Sequence, residues 1–151
     1  MRPEGIANYF NIVGMAGKIY GKLLAPVCRK WDLTRNALDV LLFLHNNPQY
    51  DRASDLVAHR GMTKSHVSLS VSDLENRGLL LRCFDPGDRR TAHLVLTEQG
   101  AAIAAEARLL QITFFDQIHD GIPEEALTIW GEVTRKIYGN IEQLHRSMGE
   151  E

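Results

Sequence analysis

The spacing of apolar residues divides the chain into two long helical arms and a central stretch, residues 52–100. Within that stretch Val67, Val71 and Leu74 recur at intervals of four and three, which is typical of one face of an amphipathic helix. Residues 80–84 and 91–96 are instead rich in strand-forming side chains and are separated by turn residues. The pattern therefore predicts two short helices joined by a tight turn, followed by two strands that form a hairpin.

The second of these helices has the features of a segment that contacts another molecule. Thr63 can accept a backbone N–H at its start, and Gly78 stands where a helix usually ends. The face opposite the apolar stripe has short polar side chains and little charge, as a helix that enters the major groove of DNA requires. An ordinary surface helix would explain the same face. The candidate DNA-contacting residues are Thr63, Lys64, Ser65, His66, Ser68, Leu69 and Ser72.

The predicted hairpin is stronger evidence for contact with DNA than the helix is. Residues 85–88 have turn chemistry, and we expect Arg89 and Arg90 at the exposed tip. Adjacent arginines suit contact with phosphates or insertion into a narrow minor groove. Asp88 can orient one guanidinium through a bidentate ion pair, and Arg82 on the first strand is a further candidate contact. The alternative is a charged turn that only keeps the hairpin soluble, but its position after two short helices favours DNA contact.

Both arms carry more apolar helix surface than one small domain can bury. Residues 5–31 repeat apolar positions at threes and fours, and Pro26 is expected to kink or break that helix near its end. Residues 101–148 carry two further apolar seams that are separated near Gly121, and Pro123 is expected at the first position of the last helix. Pairing two chains through these helices would cover the seams, usually with two-fold symmetry. The alternative for the first arm is a core helix of a monomer.

Between the first arm and the hairpin we expect three smaller features. Thr34 caps a helix that ends near His45. Tyr50 and Asp51 form a short edge strand beside the hairpin. The helix of residues 52–60 follows and ends in a turn at Gly61; its inward residues are Ala53, Leu56 and Val57.

The predicted fold class is mainly α with a small β-wing. A winged helix-turn-helix lobe, residues 34–96, is flanked by N- and C-terminal dimerisation helices, residues 5–31 and 101–148. The chain of 151 residues is long enough for one domain with a proper core, so we expect a single domain, residues 1–151.

The net charge of the whole chain does not indicate DNA binding, but the distribution of charge along the chain is uneven. The chain contains 17 Lys and Arg and 19 Asp and Glu, a net charge of −2, which does not by itself favour a nucleic-acid ligand. Residues 60–93, however, contain six basic and four acidic side chains, so basic groups concentrate in the central stretch. We see no signal peptide and no long apolar run, and the two cysteines are far apart, so we expect a cytoplasmic protein without membrane contact.

Three short motifs stand in a fixed order along the chain. Leu33-Thr34 opens a helix, Asp88 and Arg90 form D-x-R, and residues 96–100 form L-T-x-x-G. In these motifs the chain resembles the MarR (multiple-antibiotic-resistance regulator) family of bacterial winged-helix transcription factors. The resemblance implies a homodimer that binds pseudo-palindromic double-stranded DNA, with recognition helix 63–77 in the major groove and wing 85–91 in an adjacent minor groove. Leu69 departs from the family pattern, since a long polar residue is frequent there; an apolar side chain could contact a thymine methyl group or weaken base reading.

The resemblance also implies a ligand-responsive repressor. Its effector would be a small aromatic or anionic compound that binds where the arms meet the lobe. A ligand that favours a lobe spacing mismatched to the DNA would weaken DNA binding. Ordinary core packing would equally explain the residues expected at that junction, which are Tyr9, Phe10, Val13, Tyr20, Trp31, Leu38 and Phe43.

Two other functions stay open. A winged-helix module that binds protein instead of DNA would fit the net acidity and the apolar Leu69. A regulator that senses oxidants through Cys28 or Cys83 is the other, although Cys28 lies too close to Leu33 to match the peroxide-sensing members of the family. Neither a catalytic constellation nor a cofactor motif nor a metal-ligand spacing occurs, so we expect no enzyme, no cofactor and no metal site.

Overall fold

The computed structural model describes residues 3–148, with side chains for residues 8–87 and 90–148. This part of the chain contains six helices and one two-stranded antiparallel sheet, which confirms the predicted fold class. The chain divides into two compact units, Met1–Thr113 and Phe114–Glu151. The helices are α1 (Pro3–Trp31), α2 (Arg35–Asn46), α3 (Ala53–Arg60), α4 (Lys64–Asn76), α5 (Glu98–Ile118) and α6 (Glu124–Ser147), and the strands are β1 (Leu80–Asp85) and β2 (Asp88–Leu96).

Pro26 was expected to kink or break the first helix, and it does not break it. α1 continues through this residue to Trp31. Leu24 and Val27, on either side of the proline, are buried, so packing against the core offsets the backbone hydrogen bond that proline cannot donate. None of the described helices combines the length and the apolar character that crossing a bilayer requires.

The core of the first unit is built around α2. Thr34 caps this helix as predicted, since its Oγ1 accepts the amide N–H of Ala37 at 3.1 Å. Helices α1, α3 and α4 and strand β2 all pack against α2. Its buried residues are Ala37, Leu38, Val40, Leu41, Leu42, Phe43 and Leu44.

The two short helices of the central stretch form as predicted, with one error of orientation. Gly61 adopts a left-handed conformation (φ 70°) and ends α3, which glycine tolerates without steric cost. Leu56 is fully buried and Val57 is half-buried, whereas Ala53 is exposed. Ala53 was predicted to face inward, but it opens the first turn of α3, where Arg52 and Asp55 cap the helix at the surface.

The wing is a hairpin of β1 and β2 in which Leu80 pairs with Leu96 and Phe84 pairs with Ala92. Only the residues Pro86 and Gly87 connect the strands, and Gly87 has a φ of 88°. Because this tight turn lets pairing resume at Asp88, Arg89 and Arg90 belong to β2 and not to the tip, where we expected them. They lie where the register is irregular, between the pairs Asp85–Asp88 and Phe84–Ala92.

The edge strand predicted at Tyr50 and Asp51 does not form. Asp51 accepts one backbone hydrogen bond, from the N–H of Leu94 at 2.6 Å. The amide of Tyr50 is already used in a turn, where it donates to the carbonyl of Asn47 at 2.9 Å. The ring of Tyr50 stacks on His59, with 4.1 Å between centroids. The segment is therefore a turn that touches β2 at one point.

The last motif of the central stretch fixes the start of α5. The Oγ1 of Thr97 accepts the amide N–H of Gly100 at 3.1 Å and donates to the carbonyl of Gly78 at 2.9 Å. A Cβ at Gly100 would lie 2.0 Å from the carbonyl oxygen of Leu79, so only glycine permits this approach. The side chains of Ile103, Ala104 and Ala107 then continue the core of the first unit.

The second unit consists of the end of α5 and all of α6. Gly121, at φ 74°, follows α5 in the connection to the next helix. Pro123 was expected to be the first residue of α6. Its ψ of 145° is not helical, so the helix begins one residue later, at Glu124. None of the residues of α6 is buried. Its exposed large apolar side chains are Ile129, Trp130, Val133, Tyr138, Ile141 and Leu144.

Candidate nucleic-acid interface

Helix α4 is capped at its start and packed on one side. The Oγ1 of Thr63 accepts the amide N–H of His66 at 3.2 Å, which confirms the predicted cap. Val67, Val71 and Leu74 are buried, as the apolar spacing predicts. Ser70 is also buried, at 5% exposure, although no pattern in the sequence predicts this. Packing on α2 and α3 therefore holds the rotation of α4 about its own axis.

The opposite side of α4 faces outward. Most of the candidate DNA-contacting residues of this segment are exposed, and Ser72 is half-buried. Leu69 is 70% exposed, more than any other large apolar residue that the structure describes between residues 33 and 96. The exposed candidates are Thr63, Lys64, Ser65, His66, Ser68 and Leu69.

Arg82 lies beside α4 and is bonded to two residues of that helix. Its Nη1 lies 3.2 Å from Oε2 of Glu75, and its Nη2 donates to Oγ of Ser72 at 3.3 Å. Arg82 was a candidate DNA contact, and to make one it would have to share or leave these two partners.

The structure describes only part of the predicted wing contact. Arg90 is exposed on β2. The side chains of Asp88 and Arg89, both candidate contacts, lie outside the described residues, so the ion pair expected of Asp88 stays a prediction.

A histidine that the sequence did not single out connects the wing to the helix-turn-helix. Nδ1 of His93 on β2 lies 2.8 Å from Oδ2 of Asp51, and Nε2 lies 3.3 Å from Oδ2 of Asp85. The hydrogen bond with Asp51, and then that with Asp85, raises the pKa of His93 above its usual value. The three residues are far apart in sequence, and no motif joins them.

The seven residues proposed for an effector site fall into three groups. Tyr9, Phe10 and Val13 are exposed on α1. Tyr20 and Trp31 are half-buried and bonded to α5, whereas Leu38 and Phe43 belong to the core. The structure does not join the seven into one described site.

A polar cluster surrounds Tyr20 instead. The guanidinium of Arg35 lies 4.9 Å from the ring centroid of Tyr20, and its Nε lies 3.1 Å from Oδ1 of Asp39. Arg60 contacts the same carboxylate oxygen at 3.2 Å, and Gln111 donates to the hydroxyl of Tyr20. Burial raises the pKa of Tyr20, so the phenol stays protonated. Apart from Tyr20, sequence reasoning missed this cluster because its members come from four different helices.

The two cysteines differ in exposure. Cys83 is exposed on β1, and Cys28 is half-buried on α1. Burial raises the pKa of the Cys28 thiol, which disfavours the reactive thiolate. Among the residues that the structure describes, no group of three His, Cys, Asp or Glu side chains is arranged to hold a metal ion.

Comparison with known proteins agrees with this geometry. A model of the MarR family matches residues 31–91, the stretch from the end of α1 into β2. A MarR-family transcriptional regulator from Listeria monocytogenes, in complex with a 26mer DNA, is 16% identical with a TM-score of 0.81, over 94% of this chain and 95% of that chain. A MarR-family regulator from Silicibacter pomeroyi is 21% identical with a TM-score of 0.77, over 91% of each chain.

A third solved structure is bound to a small molecule. CouR from Rhodococcus jostii RHA1, bound to p-coumaroyl-CoA, is 24% identical with a TM-score of 0.69, over 84% of this chain and 86% of that chain. At these identities the structures show a shared fold. Together with the family model, they confirm the resemblance to the MarR family that the motifs of residues 33–100 indicate.

Proposed function

We propose that this protein is a cytoplasmic, homodimeric DNA-binding transcription regulator that acts as a ligand-responsive repressor at a pseudo-palindromic operator. The observation that carries the proposal is the orientation of α4. Its apolar stripe is buried against the lobe, and its short polar side chains face outward beside a two-stranded wing. A helix presented in this way can enter the major groove while the wing reaches an adjacent minor groove.

Several chemical features support contact with DNA. Lys64, at the start of α4, and Arg90, on the wing, are exposed positively charged residues. Such charges bind phosphates and release counterions, so affinity should fall as salt rises. The Listeria monocytogenes relative, which has the same fold, is in complex with a 26mer DNA.

The proposal of a homodimer rests on apolar surface left exposed in each unit. On α1, Phe10, Ile12 and Met15 are each at least 63% exposed. On α6, Ile141 and Leu144 are 55% and 59% exposed. Exposed apolar helix faces of this size usually mark an interface, and a second copy of the chain would cover them with closed symmetry. Two recognition helices about 34–36 Å apart would then meet successive major grooves.

We propose that the effector is a small aromatic or anionic compound and that it binds near Tyr20, where α1, α2 and α5 meet. Tyr20 offers an aromatic ring, and Arg35 offers a guanidinium beside it. CouR, which has this fold, is bound to p-coumaroyl-CoA. Since Arg35 is already paired with Asp39, an anionic effector would have to compete for that ion pair.

The test is selection of duplexes from a randomised DNA pool by the purified protein. We expect enrichment of a pseudo-palindrome whose half-sites are about one helical turn apart. Light scattering of the complex should give two protomers per duplex. Enrichment of a single half-site with one protomer would refute the dimer, and no enrichment would refute the regulator.

One observation favours a second function. The exposed Leu69 would suit a winged-helix module that binds another protein. Arg90→Ala and Leu69→Ala separate the two functions, because Arg90→Ala should weaken DNA binding and lower the number of counterions released by about two, one for each protomer. If Leu69→Ala alone disrupts the function and no DNA is bound, the protein-binding module is the better account.

A further inference from the structure

The outer face of α4 combines one large apolar side chain with several short polar ones. Leu69 is 70% exposed, whereas the next most exposed large apolar residue of the lobe, Leu81, is 51% exposed. An isobutyl group left in water contributes nothing to folding of the chain by itself. Two neighbours on the same face, Ser65 and Ser72, are too short to cover it, so the side chain of Leu69 is open to solvent in the middle of the helix.

The usual base-reading groups are absent from the middle of α4. Bidentate reading of guanine or adenine needs an Arg, Lys, Asn or Gln side chain, and α4 has only Lys64 and Asn76, its first and last residues. Lys64 stands at the first position of the helix. Arg82, on β1 of the wing, is bonded to Glu75 and Ser72. What remains at the centre of the face is the apolar group of Leu69 with serine hydroxyls on either side.

We infer that Leu69 determines the sequence specificity of α4 by packing on the C5-methyl group of a thymine in the major groove. This inference rests on the proposed function. Thymine is the only standard base that presents a methyl group there, and a leucine side chain has no hydrogen-bonding group with which to read another base. The short serines allow the helix to approach closely enough for the methyl contact. The operator half-site therefore carries a thymine opposite Leu69.

The experiment removes the methyl group from the DNA and leaves the protein intact. In the duplex selected by the wild-type protein, each thymine is replaced in turn by uracil, which lacks only the C5-methyl. Fluorescence anisotropy then gives the affinity for each duplex. We expect one position per half-site at which uracil weakens binding about fourfold, the value of one buried methyl group. Replacement in both half-sites should weaken binding about 15-fold, since the two contacts are equivalent and independent.

The matched protein variants identify the side chain. Leu69→Ala should bind thymine and uracil duplexes equally, whereas Leu69→Met should keep most of the difference, because methionine also offers an apolar group of similar size. Leu69 is exposed, so neither variant should change the thermal stability, which serves as the control for folding.

A failed Leu69 contact and a failure of DNA binding give different results in this experiment. A selected duplex whose affinity does not respond to uracil at any position would overturn the role of Leu69 and leave DNA binding intact. The same uracil sensitivity in Leu69→Ala as in the wild type would also overturn it. Failure to select any duplex, with loss of a protein partner in Leu69→Ala, would overturn both the inference and the regulator.

Discussion

Nδ1 of His93 lies 2.8 Å from Oδ2 of Asp51, and this contact attaches the second strand of the wing to the loop that precedes α3. On the other side of the ring, Nε2 lies 3.3 Å from Oδ2 of Asp85 at the end of β1. A carboxylate only accepts hydrogen bonds, and a neutral imidazole carries one N–H. Both contacts are satisfied together when His93 is protonated, which is why the two carboxylates raise its pKa.

This cluster predicts how stability depends on pH. A histidine whose pKa is raised by folding stabilises the folded state below its ordinary pKa of about 6.5, and this contribution is lost as pH rises through the raised value. His93→Gln removes the imidazolium. We expect the variant to be less stable than the wild type at pH 5.5, with the difference shrinking towards pH 8.5. Urea unfolding at intervals across that range measures it.

His145→Gln on α6 is the control, since His145 is exposed and distant in sequence from the wing. It should leave the pH profile of stability unchanged. Histidine NMR gives a second measurement, in which both ring nitrogens of His93 should keep their protons to a higher pH in the folded than in the unfolded chain. A wild type and a His93→Gln variant with the same pH profile would contradict the role assigned to the cluster.

Gly100 should tolerate no side chain. Gly100→Ala would place a Cβ 2.0 Å from the carbonyl oxygen of Leu79, and backbone atoms cannot yield as a flexible side chain would. We expect a loss of several kcal/mol in the free energy of unfolding, as for other overpacked buried sites. Gly14→Ala is the control, because nothing in the structure lies within 4 Å of a Cβ there and alanine favours the helix. Equal stability of both variants in urea would refute the close approach.

The hydroxyl that begins α2 should contribute measurably to stability. Thr34→Ala removes the acceptor of the Ala37 amide N–H, and we expect the free energy of unfolding to fall by about 1 kcal/mol. Thr34→Ser keeps the hydroxyl and should recover most of that loss in the same urea titration. Were serine as unstable as alanine, the methyl group and not the cap would be responsible.

The exposed apolar face of α6 should control the oligomeric state. Ile141→Glu introduces a charge on a side chain that is 55% exposed within one chain. If a second chain covers this face, burial of the unpaired carboxylate should shift the protein from dimer to monomer in analytical ultracentrifugation. Gln143→Glu places the same charge elsewhere on α6 and should leave the dimer intact. A dimer that persists in Ile141→Glu would place the interface elsewhere.

Local signals in the sequence predicted the helices and the hairpin well. Thr34 and Thr63 cap the helices that follow them, and the spacing of Val67, Val71 and Leu74 predicted the buried side of α4. These features depend on neighbours within four residues, so they can be read from a short window of sequence.

The errors arose where distant parts of the chain decide the outcome. Pro26 was expected to kink or break α1; it does not break the helix, and Leu24 and Val27 beside it are buried. The sequence did not indicate that Arg82, a candidate DNA contact, is paired with Glu75. His93 contacts Asp51, 42 positions earlier in the chain, and no local pattern predicts that contact. Tertiary contacts of this kind fix which charged groups are engaged, and therefore which remain for a ligand.

The most direct measurement is fluorescence anisotropy of the selected duplex and of a scrambled duplex of the same composition, across a salt series, with the wild type and Arg90→Ala. A specific regulator should bind the selected duplex at least about a thousandfold more tightly than the scrambled one, with affinity falling steeply as salt rises. Arg90→Ala should lower the salt slope by about two, one for each protomer of the dimer. Equal, weak binding of both duplexes with a shallow slope that Arg90→Ala leaves unchanged would contradict DNA recognition by α4 and the wing.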